Sequence, residues 1–440
     1  MIWHFELGCE EHKMLIWNIV GLVWISVGAF AMSKEKNIIN PVTIMCSIWG
    51  TIDILSSMQL YGLYEAKDEA YGYINLGVAF FLVGCVAARL KIVNRQKVKG
   101  SITISPKQYQ LRERRCFLIL IVCLMFLGYK VIQYRSAIFK SGLSLGAIQT
   151  SIGKDSTSVS GILNAIYFLI INPMMLALPT AVISDYYVRK KNIMLLVLCV
   201  ALCVLRVMTS GGRQAFIQIF FYIFVALYFS KDAVRKKIGK IKQANQKKKM
   251  RVAILGAFIV LLLLTISRTS AVIKTIYLDF AMQPKMLEIW TDKIQKVGKN
   301  SYGIMALLGY IYPACYIIKN LLGLNGIPQA VQSAYDMRMA TMSEWVSIGP
   351  NLIANAYVTC FWYFYHDAGV LGIIMGMSLC GYISCKIYRK VKRNPTSKNV
   401  CSYMFVAMAI FYTFGDFYPS NPYFIIGYLY AQKLLFKSKG

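Results

Sequence analysis

The strongest constraint on this chain is a succession of apolar runs, each about 20 residues long, which is the length that crosses a bilayer as a helix. The runs recur along nearly the whole chain. Backbone N–H and C=O groups must be paired in lipid, and these runs lack the alternation of barrel strands, so we expect helices. With 57% hydrophobic and only 15% charged residues, the composition excludes an ordinary soluble protein. The sequence predicts an all-α polytopic integral membrane protein.

We expect about eleven transmembrane helices, within a range of ten to twelve. Their expected limits are 14–32, 38–64, 71–90, 116–138, 161–187, 193–210, 214–229, 252–270, 368–388, 399–414 and 422–435. Three segments follow from these limits. They are an N-terminal membrane bundle (1–270), a large external loop with amphipathic helices (271–367) and a C-terminal membrane bundle (368–440). A loop as long as the middle segment is usually functional.

The net charge of +30 is interpreted first as topology, because Lys and Arg accumulate in cytoplasmic loops. Basic clusters lie at 91–115, 189–191, 230–251, 389–393 and the C-terminus. All of them fall on one side if the N-terminus is outside and the C-terminus is cytoplasmic. The most basic loop is expected to touch anionic membrane lipid, so no nucleic-acid partner is predicted.

The twelve cysteines contain no CxxC pair, and most lie within apolar runs. We interpret them as small core residues, and we expect neither disulfides nor a metal site. The residues before the first apolar run are acidic, where a signal peptide would be basic. That run is therefore interpreted as the first membrane helix.

Four arginines are expected at the external ends of spans, where the distribution of basic residues in the loops would not place them. They are Arg135, Arg206, Arg213 and Arg268. Guanidinium groups bind phosphate or pyrophosphate oxygens with paired donors, so the set indicates a polyanion site at the membrane surface. Gly211 and Gly212 let backbone N–H groups approach such an anion. The alternative is a simple turn, with Arg213 reaching the lipid headgroups.

A second group lies at 351–376, where His366 and Asp367 stand at the expected start of the ninth span. A His–Asp pair suits a general base. Asp367 is equally placed to cap a helix beginning at Ala368. Three glycines, Gly369, Gly372 and Gly376, suggest a helix-packing face. The surrounding aromatic residues form either an interfacial belt or platforms for sugar rings.

These residues resemble a signature of bacterial oligosaccharide repeat-unit polymerases, the Wzy-like polymerases of O-antigen and capsular polysaccharide. The signature lies near the last external loop of the family. It corresponds here to Asn355, Tyr357, Phe361, Asp367, Gly369 and Gly372. The stretch "SGGRQAF" at 210–216 is similar to the Gly–Arg element that the family carries between two spans. The arginine that ends the next span, Arg268, also fits the pattern.

The resemblance implies a metal-independent membrane glycosyltransferase of GT-C-like architecture in the bacterial cytoplasmic (inner) membrane, without a cofactor. It would transfer the growing glycan from undecaprenyl pyrophosphate to the sugar of a new lipid-linked unit. A chain-length regulator and a flippase of the same pathway would be partners. The expected catalytic residues are His366, Asp367, Arg213 and Arg268, with Glu344 and Asp416 as further candidates for the base. The expected substrate-binding residues are Arg206, Arg135, Gly211, Gly212, Asn355, Tyr357 and Arg338.

Two other functions remain open at this point. An O-antigen ligase has similar topology and also a large external loop. A transporter or flippase of lipid-linked oligosaccharide belongs to a different class, and many transporters show paired halves with broken helices near mid-depth. No repeat between halves is apparent in this sequence, and the arginines lie near one surface.

Overall fold

The structure is a computed structural model, and it describes residues 2–98, 109–141, 165–189, 192–210, 214–235, 272–298 and 300–438. The α-helices in these ranges are α1 (Ile2–Glu35), α2 (Pro41–Ser57), α3 (Asp68–Val98), α4 (Glu113–Ser141), α5 (Asn172–Arg189), α6 (Ile193–Ser210), α7 (Gln214–Arg235), α8 (Val272–Ala281), α9 (Gln283–Val297), α10 (Ile304–Leu322), α11 (Gln329–Ser343), α12 (Thr359–Arg393), α13 (Ser397–Phe411) and α14 (Pro422–Lys433). The strands are β1 (Tyr109–Leu111), β2 (Val346–Gly349), β3 (Leu352–Ala354) and β4 (Phe436–Ser438).

Six helices in the described ranges are long and apolar enough to cross a membrane. They comprise Met14–Glu35, Asp68–Leu90, Glu113–Gln133, Tyr167–Arg189, Ile304–Leu322 and Thr359–Arg393. The expectation of an all-helical membrane protein is confirmed at this level. The expected span at 252–270 lies outside the described residues, and the total of about eleven stays a prediction.

One of the six candidate spans, α10, lies inside segment 271–367. We expected this whole segment to lie outside the membrane. Its C-terminal residues Leu321 and Leu322 are 79% and 69% exposed. Gly323 ends the helix in the left-handed conformation, with φ 64°. The chain then returns in α11, and Tyr312 of α10 stacks on Tyr335 of α11 with ring centroids 4.0 Å apart. The segment 271–367 therefore contains an apolar helix held in a hairpin with a more polar one.

The chain divides into two compact units, each of which draws on distant parts of the sequence. The first comprises 1–103, 271–389 and 406–422, and the second comprises 104–270, 390–405 and 423–440. The expected segmentation at 270 and 367 followed chain order. The compact units instead combine the long middle segment with the N-terminal helices.

In the second unit, helices α4 to α7 pack with the C-terminal helix α14. The carbonyl of Pro173 lies so close to Gly427 that a Cβ on this glycine would meet it at 2.8 Å. A π-helical turn, Tyr167–Ile171, precedes α5, and the Tyr430 hydroxyl donates to its Leu169 carbonyl at 2.9 Å. Strands β1 and β4 pair antiparallel and join two distant stretches of this unit.

In the first unit, α3 and α12 cross with their backbones in contact. A Cβ built on Gly84 would lie 1.9 Å from the Ser378 carbonyl oxygen, and one built on Gly381 would lie 2.0 Å from the Phe81 carbonyl oxygen. Only glycine leaves room for this approach, as in the close helix pairs that small residues permit in membranes.

Helix α12 bends sharply at Ala368 and Gly369, where Gly369 has φ 59° and ψ −141°. Few residues other than glycine adopt this conformation. The bend brings the first part of the helix back against the second, so that Cβ atoms on Gly372 or Gly376 would collide with Phe364. The helix expected to begin at Ala368 thus starts at this bend. It is preceded by a helical stretch that was not expected, which begins at Thr359 and whose residues 360–363 are fully buried.

The cysteines lie where their surroundings in the sequence predict. Nine of the eleven whose side chains are described are buried, and the other two are of intermediate exposure. They fill apolar helix faces, as small hydrophobic residues do.

The α3–α12 crossing makes a direct prediction about stability. Gly84→Ala and Gly381→Ala should each destabilise the protein by about 1–3 kcal/mol, because a new methyl group would meet backbone atoms that cannot give way. Thermal unfolding in detergent, followed by tryptophan fluorescence, measures the change.

Gly72→Ala is the matched control, since it lies on the same helix α3 with nothing within 4 Å of the new Cβ. It should unfold at or slightly above the temperature of the unmodified protein, because alanine favours helix. Equal effects of Gly72→Ala and Gly84→Ala would contradict the close crossing.

Candidate functional site

The candidate site lies in the first unit, where the first part of α12 meets the start of α10. Ser301 stands just before α10, and its backbone N–H donates to the His366 carbonyl at 3.0 Å. The Tyr302 N–H donates to the Asp367 carbonyl at 3.1 Å. These two bonds fasten the entry of α10 onto the bend of α12.

The Asp367 carboxylate caps α10. One oxygen accepts the Met305 N–H at 2.9 Å, and the other accepts the Ala306 N–H at 2.9 Å. The Ser301 hydroxyl also donates to the carboxylate. The expected role of Asp367 as a helix cap thus holds for a different helix from the one expected, since its carboxylate binds the first turn of α10. The positive end of a helix and three donors compensate the buried charge.

His366 is linked to Asp367 through Ser301. The His366 Nδ1 atom lies 2.8 Å from the Ser301 hydroxyl oxygen. A serine hydroxyl has one proton, and here it points to Asp367. The serine oxygen must therefore accept from His366, which places a proton on Nδ1 and leaves a lone pair on Nε2. Within the described part of the chain, Nε2 has no hydrogen-bond partner, and the side chain is 8% exposed.

This arrangement orients the imidazole in the way that base catalysis requires. The ring is held on one side by the Ser301–Asp367 link and packs edge-on against Trp362, with centroids 5.5 Å apart. Its accepting nitrogen is the one that a substrate hydroxyl would approach. A proton taken up on Nε2 would give an imidazolium stabilised through Ser301 by the Asp367 carboxylate.

A second polar cluster lies one helical turn earlier on α12. Arg338 of α11 donates to Asp416 at 2.9 Å, and the Tyr363 hydroxyl donates to the other carboxylate oxygen. All three side chains are buried, with Arg338 only 5% exposed. Burial acts to lower the pKa of Arg338, but the Asp416 carboxylate outweighs it and the net pKa lies above its ordinary value. The guanidinium group is therefore charged, and its bond to Asp416 ties α11 to the turn at 412–420.

Arg338 was expected to bind substrate, but its guanidinium group already forms an ion pair within the protein. Its charge is matched by Asp416, and its Nε–H has no partner among the described residues. The guanidinium group thus has a structural role, and its Nε–H stays available as a donor within the described part of the chain.

Asn355 and Tyr357 are held by neighbouring elements. The Asn355 amide donates to the Met342 carbonyl at 2.9 Å. The Tyr357 ring stacks on Phe414 with centroids 6.3 Å apart, and its hydroxyl donates to Asp279 at 3.3 Å. The backbone between β3 and α12 is strained, with φ 67° at both Ala356 and Thr359. Strain of this kind tends to collect at functional sites.

Glu344, a further candidate for the base, lies at the surface. Its carboxylate is 2.6 Å from the Lys293 ammonium group, and its side chain is 52% exposed. The same ammonium group lies 3.8 Å from the centre of the Trp290 ring. Glu344 therefore belongs to a solvated ion pair.

The arginines predicted to bind pyrophosphate belong to the second unit of the chain or lie outside the described residues. Arg206 of α6 donates to Gln218 of α7 at 2.7 Å and is partly buried. Arg135 lies in α4, but its side chain is not among those described. Arg213, Arg268, Gly211 and Gly212 lie outside the described residues. The convergence of these arginines stays a prediction.

Ser301 is the residue of this site that sequence reasoning missed. It lies 65 positions from His366, in a segment without a motif. The only signal was its place immediately before an apolar helix, a position where serine is common.

Comparisons with protein families, with curated proteins and with solved structures find nothing that matches this chain.

The Arg338–Asp416 pair predicts a large effect of removing one partner. Arg338→Ala leaves the buried Asp416 charge without its counterion and should cost about 3–5 kcal/mol of stability. The double variant Arg338→Met, Asp416→Leu should recover much of that loss, because no buried charge is then left unpaired. The measurement is thermal unfolding of the purified protein.

Lys67→Ala is the control, since it removes an exposed ion pair with Asp292. Exposed pairs contribute little, so this variant should unfold like the unmodified protein. If the double variant were as unstable as Arg338→Ala, the unpaired charge would not be the cause.

Proposed function

We propose that this protein is a membrane glycosyltransferase that polymerises lipid-linked oligosaccharide repeat units on the outer face of the bacterial cytoplasmic membrane. The observation that carries the proposal is the imidazole of His366, oriented through Ser301 by a capping carboxylate within the stretch that resembles the polymerase signature. The apolar helices support the membrane setting.

The reaction needs a base, and His366 supplies it. An acceptor sugar hydroxyl attacks the anomeric carbon of the donor glycan and forms the new C–O bond. The bond from that carbon to the pyrophosphate oxygen breaks, and undecaprenyl pyrophosphate leaves with the electron pair. The hydroxyl proton passes to His366 Nε2. Asp367 acts by orienting the histidine and stabilising its charged form, because its own oxygens are occupied by three donors.

The leaving group carries the developing negative charge, and arginines are suited to stabilise it. We assign this role to Arg213 and Arg268, and binding of the same pyrophosphate to Arg206 and Arg135. Gly211 and Gly212 allow the pyrophosphate to approach the backbone. The hairpin of α10 and α11 is in keeping with this proposal, because a lipid-linked substrate must present its sugar from the membrane surface.

A row of stacked aromatic rings in the same unit as His366 is suited to hold sugars. Tyr357 stacks on Phe414, Phe414 on Tyr412 with centroids 5.8 Å apart, and Tyr412 on Tyr418 with centroids 4.9 Å apart. Flat apolar ring faces with polar edges are the surfaces on which sugar rings pack. In this proposal the N-terminus is outside, the C-terminus is cytoplasmic, and a chain-length regulator and flippase of the same pathway are partners.

Deleting the gene in its native host tests the activity. A polymerase predicts that the ladder of surface polysaccharide collapses to a single repeat unit on a gel, because units are exported but not joined. Loss of all polysaccharide from its acceptor, with long lipid-linked polymer accumulating, would identify a ligase instead. Repeat units trapped on the inner leaflet would identify a flippase, and either result would overturn the proposal.

The role of His366 is tested at matched membrane levels of each variant. His366→Gln should reduce polymerisation by about a hundredfold to ten-thousandfold, the usual contribution of a general base. Ser301→Ala should retain part of the activity with an altered pH profile, because the ring loses its oriented tautomer but keeps its base. Glu344→Gln is the control and should behave like the unmodified enzyme. Full-length polymer from His366→Gln would remove this residue from the mechanism.

A further inference from the structure

A buried carboxyl group in α2 has no role in the site described above. Asp53 is the only charged residue of this apolar 17-residue helix, and its side chain is 0% exposed. Neither of its carboxylate oxygens has a hydrogen-bond partner among the described residues. An ionised carboxylate without partners is very costly in an apolar interior, so the neutral, protonated form is favoured.

Two polar side chains, Ser56 of α2 and Tyr71 of α3, form a hydrogen-bonded pair at the end of α2. Ser56 lies three residues further along the helix than Asp53, on the same face. Its hydroxyl oxygen accepts from the Tyr71 hydroxyl at 2.9 Å. Tyr71 belongs to the first turns of α3, close to the exposed residues at 67–69. Both hydroxyl-bearing residues are themselves buried.

The same neighbours are poorly suited to hold a metal cation. The Asn75 side chain lies beside Asp53, but its oxygen accepts from the Trp24 indole at 2.5 Å and its nitrogen donates to the Tyr71 carbonyl at 2.9 Å. A sodium or calcium ion needs several free oxygen ligands. The side-chain oxygens of Asn75 and Ser56 already accept hydrogen bonds, so they are not free to bind a cation.

The ionisable groups of the other helices packed on α2 are also engaged. The Tyr277 hydroxyl of α8 donates to the Leu55 carbonyl at 2.7 Å. On α9, Glu288 is 2.8 Å from the Lys285 ammonium group. The groups of α1 that reach this region, Asn18 and Trp24, are uncharged.

We propose that Asp53 is a proton-binding site, which exchanges its proton with the aqueous phase at the α2–α3 end through the Ser56 and Tyr71 hydroxyls. This site is separate from the proposed glycosyl transfer, and its test does not depend on that activity. The ligand is the proton alone.

Dicyclohexylcarbodiimide, an apolar reagent that adds to protonated carboxyl groups, tests the proposal on the full-length protein in liposomes. Mass spectrometry should find the adduct on Asp53, forming at least tenfold faster at about pH 5 than at about pH 9, a range that spans most carboxyl titrations in proteins. Asp185 and Asp416 are internal controls, because both are buried but paired with arginines. They should react far more slowly.

Tyr71→Phe removes one hydroxyl of the proposed route. After a drop in pH, Asp53 of this variant should regain its reactivity toward the carbodiimide more slowly. Asp53→Asn should abolish the adduct on the peptide that contains residue 53. Four results would overturn the proposal: no adduct on Asp53, equal labelling of all three aspartates, a rate that does not change with pH, or protection by sodium ions. The last of these would indicate a sodium site.

Discussion

The carboxylate of Asp367 holds together the two parts of the first unit that the sequence keeps far apart. It receives two backbone N–H groups from the first turn of α10 and the hydroxyl of Ser301. It can do so only because Gly369 permits α12 to bend at the next turn. With the cap in place, Ser301 lies against His366, and the tautomer of the imidazole follows. The cap and the oriented histidine therefore depend on one buried carboxylate, which a helix terminus compensates, and the position of that carboxylate depends on the bend.

The other two aspartates buried in the described part of this unit, Asp416 and Asp53, are accommodated in two further ways. Asp416 is matched by Arg338 and Tyr363, an arrangement in which each group would be costly to keep without the others. Asp53 has no such partners within the described part of the chain, which favours its neutral form. Three aspartates in one unit thus take three different solutions: a helix terminus, a counterion and a proton. Each solution gives the carboxyl group a different chemistry, so burial alone does not indicate function.

The sequence predicted the features that follow from local composition. Apolar runs gave the helices and their membrane character, and the setting of each cysteine gave its burial. The site was predicted only in part, because its geometry depends on distant contacts. His366 and Asp367 could be named from their neighbours, but Met305, whose N–H the Asp367 cap accepts, lies 62 positions away from it. Ser301 has no motif at all. The helical stretch before the bend of α12 was not predicted, because its aromatic residues resemble an interfacial belt, whereas they pack as a buried helix. The roles of Arg213 and Arg268 stay predictions.

The burial of the cysteines has a practical consequence for work on this protein. Maleimides and other water-soluble thiol reagents need a thiolate that they can reach. Nine of the eleven cysteines with described side chains are enclosed by apolar neighbours. Among the described side chains, a reporter cysteine in an exposed position would therefore compete for reagent mainly with Cys315 and Cys380, which are of intermediate exposure. Replacing those two would leave the nine buried cysteines, and the helix packing that their small side chains complete, unchanged.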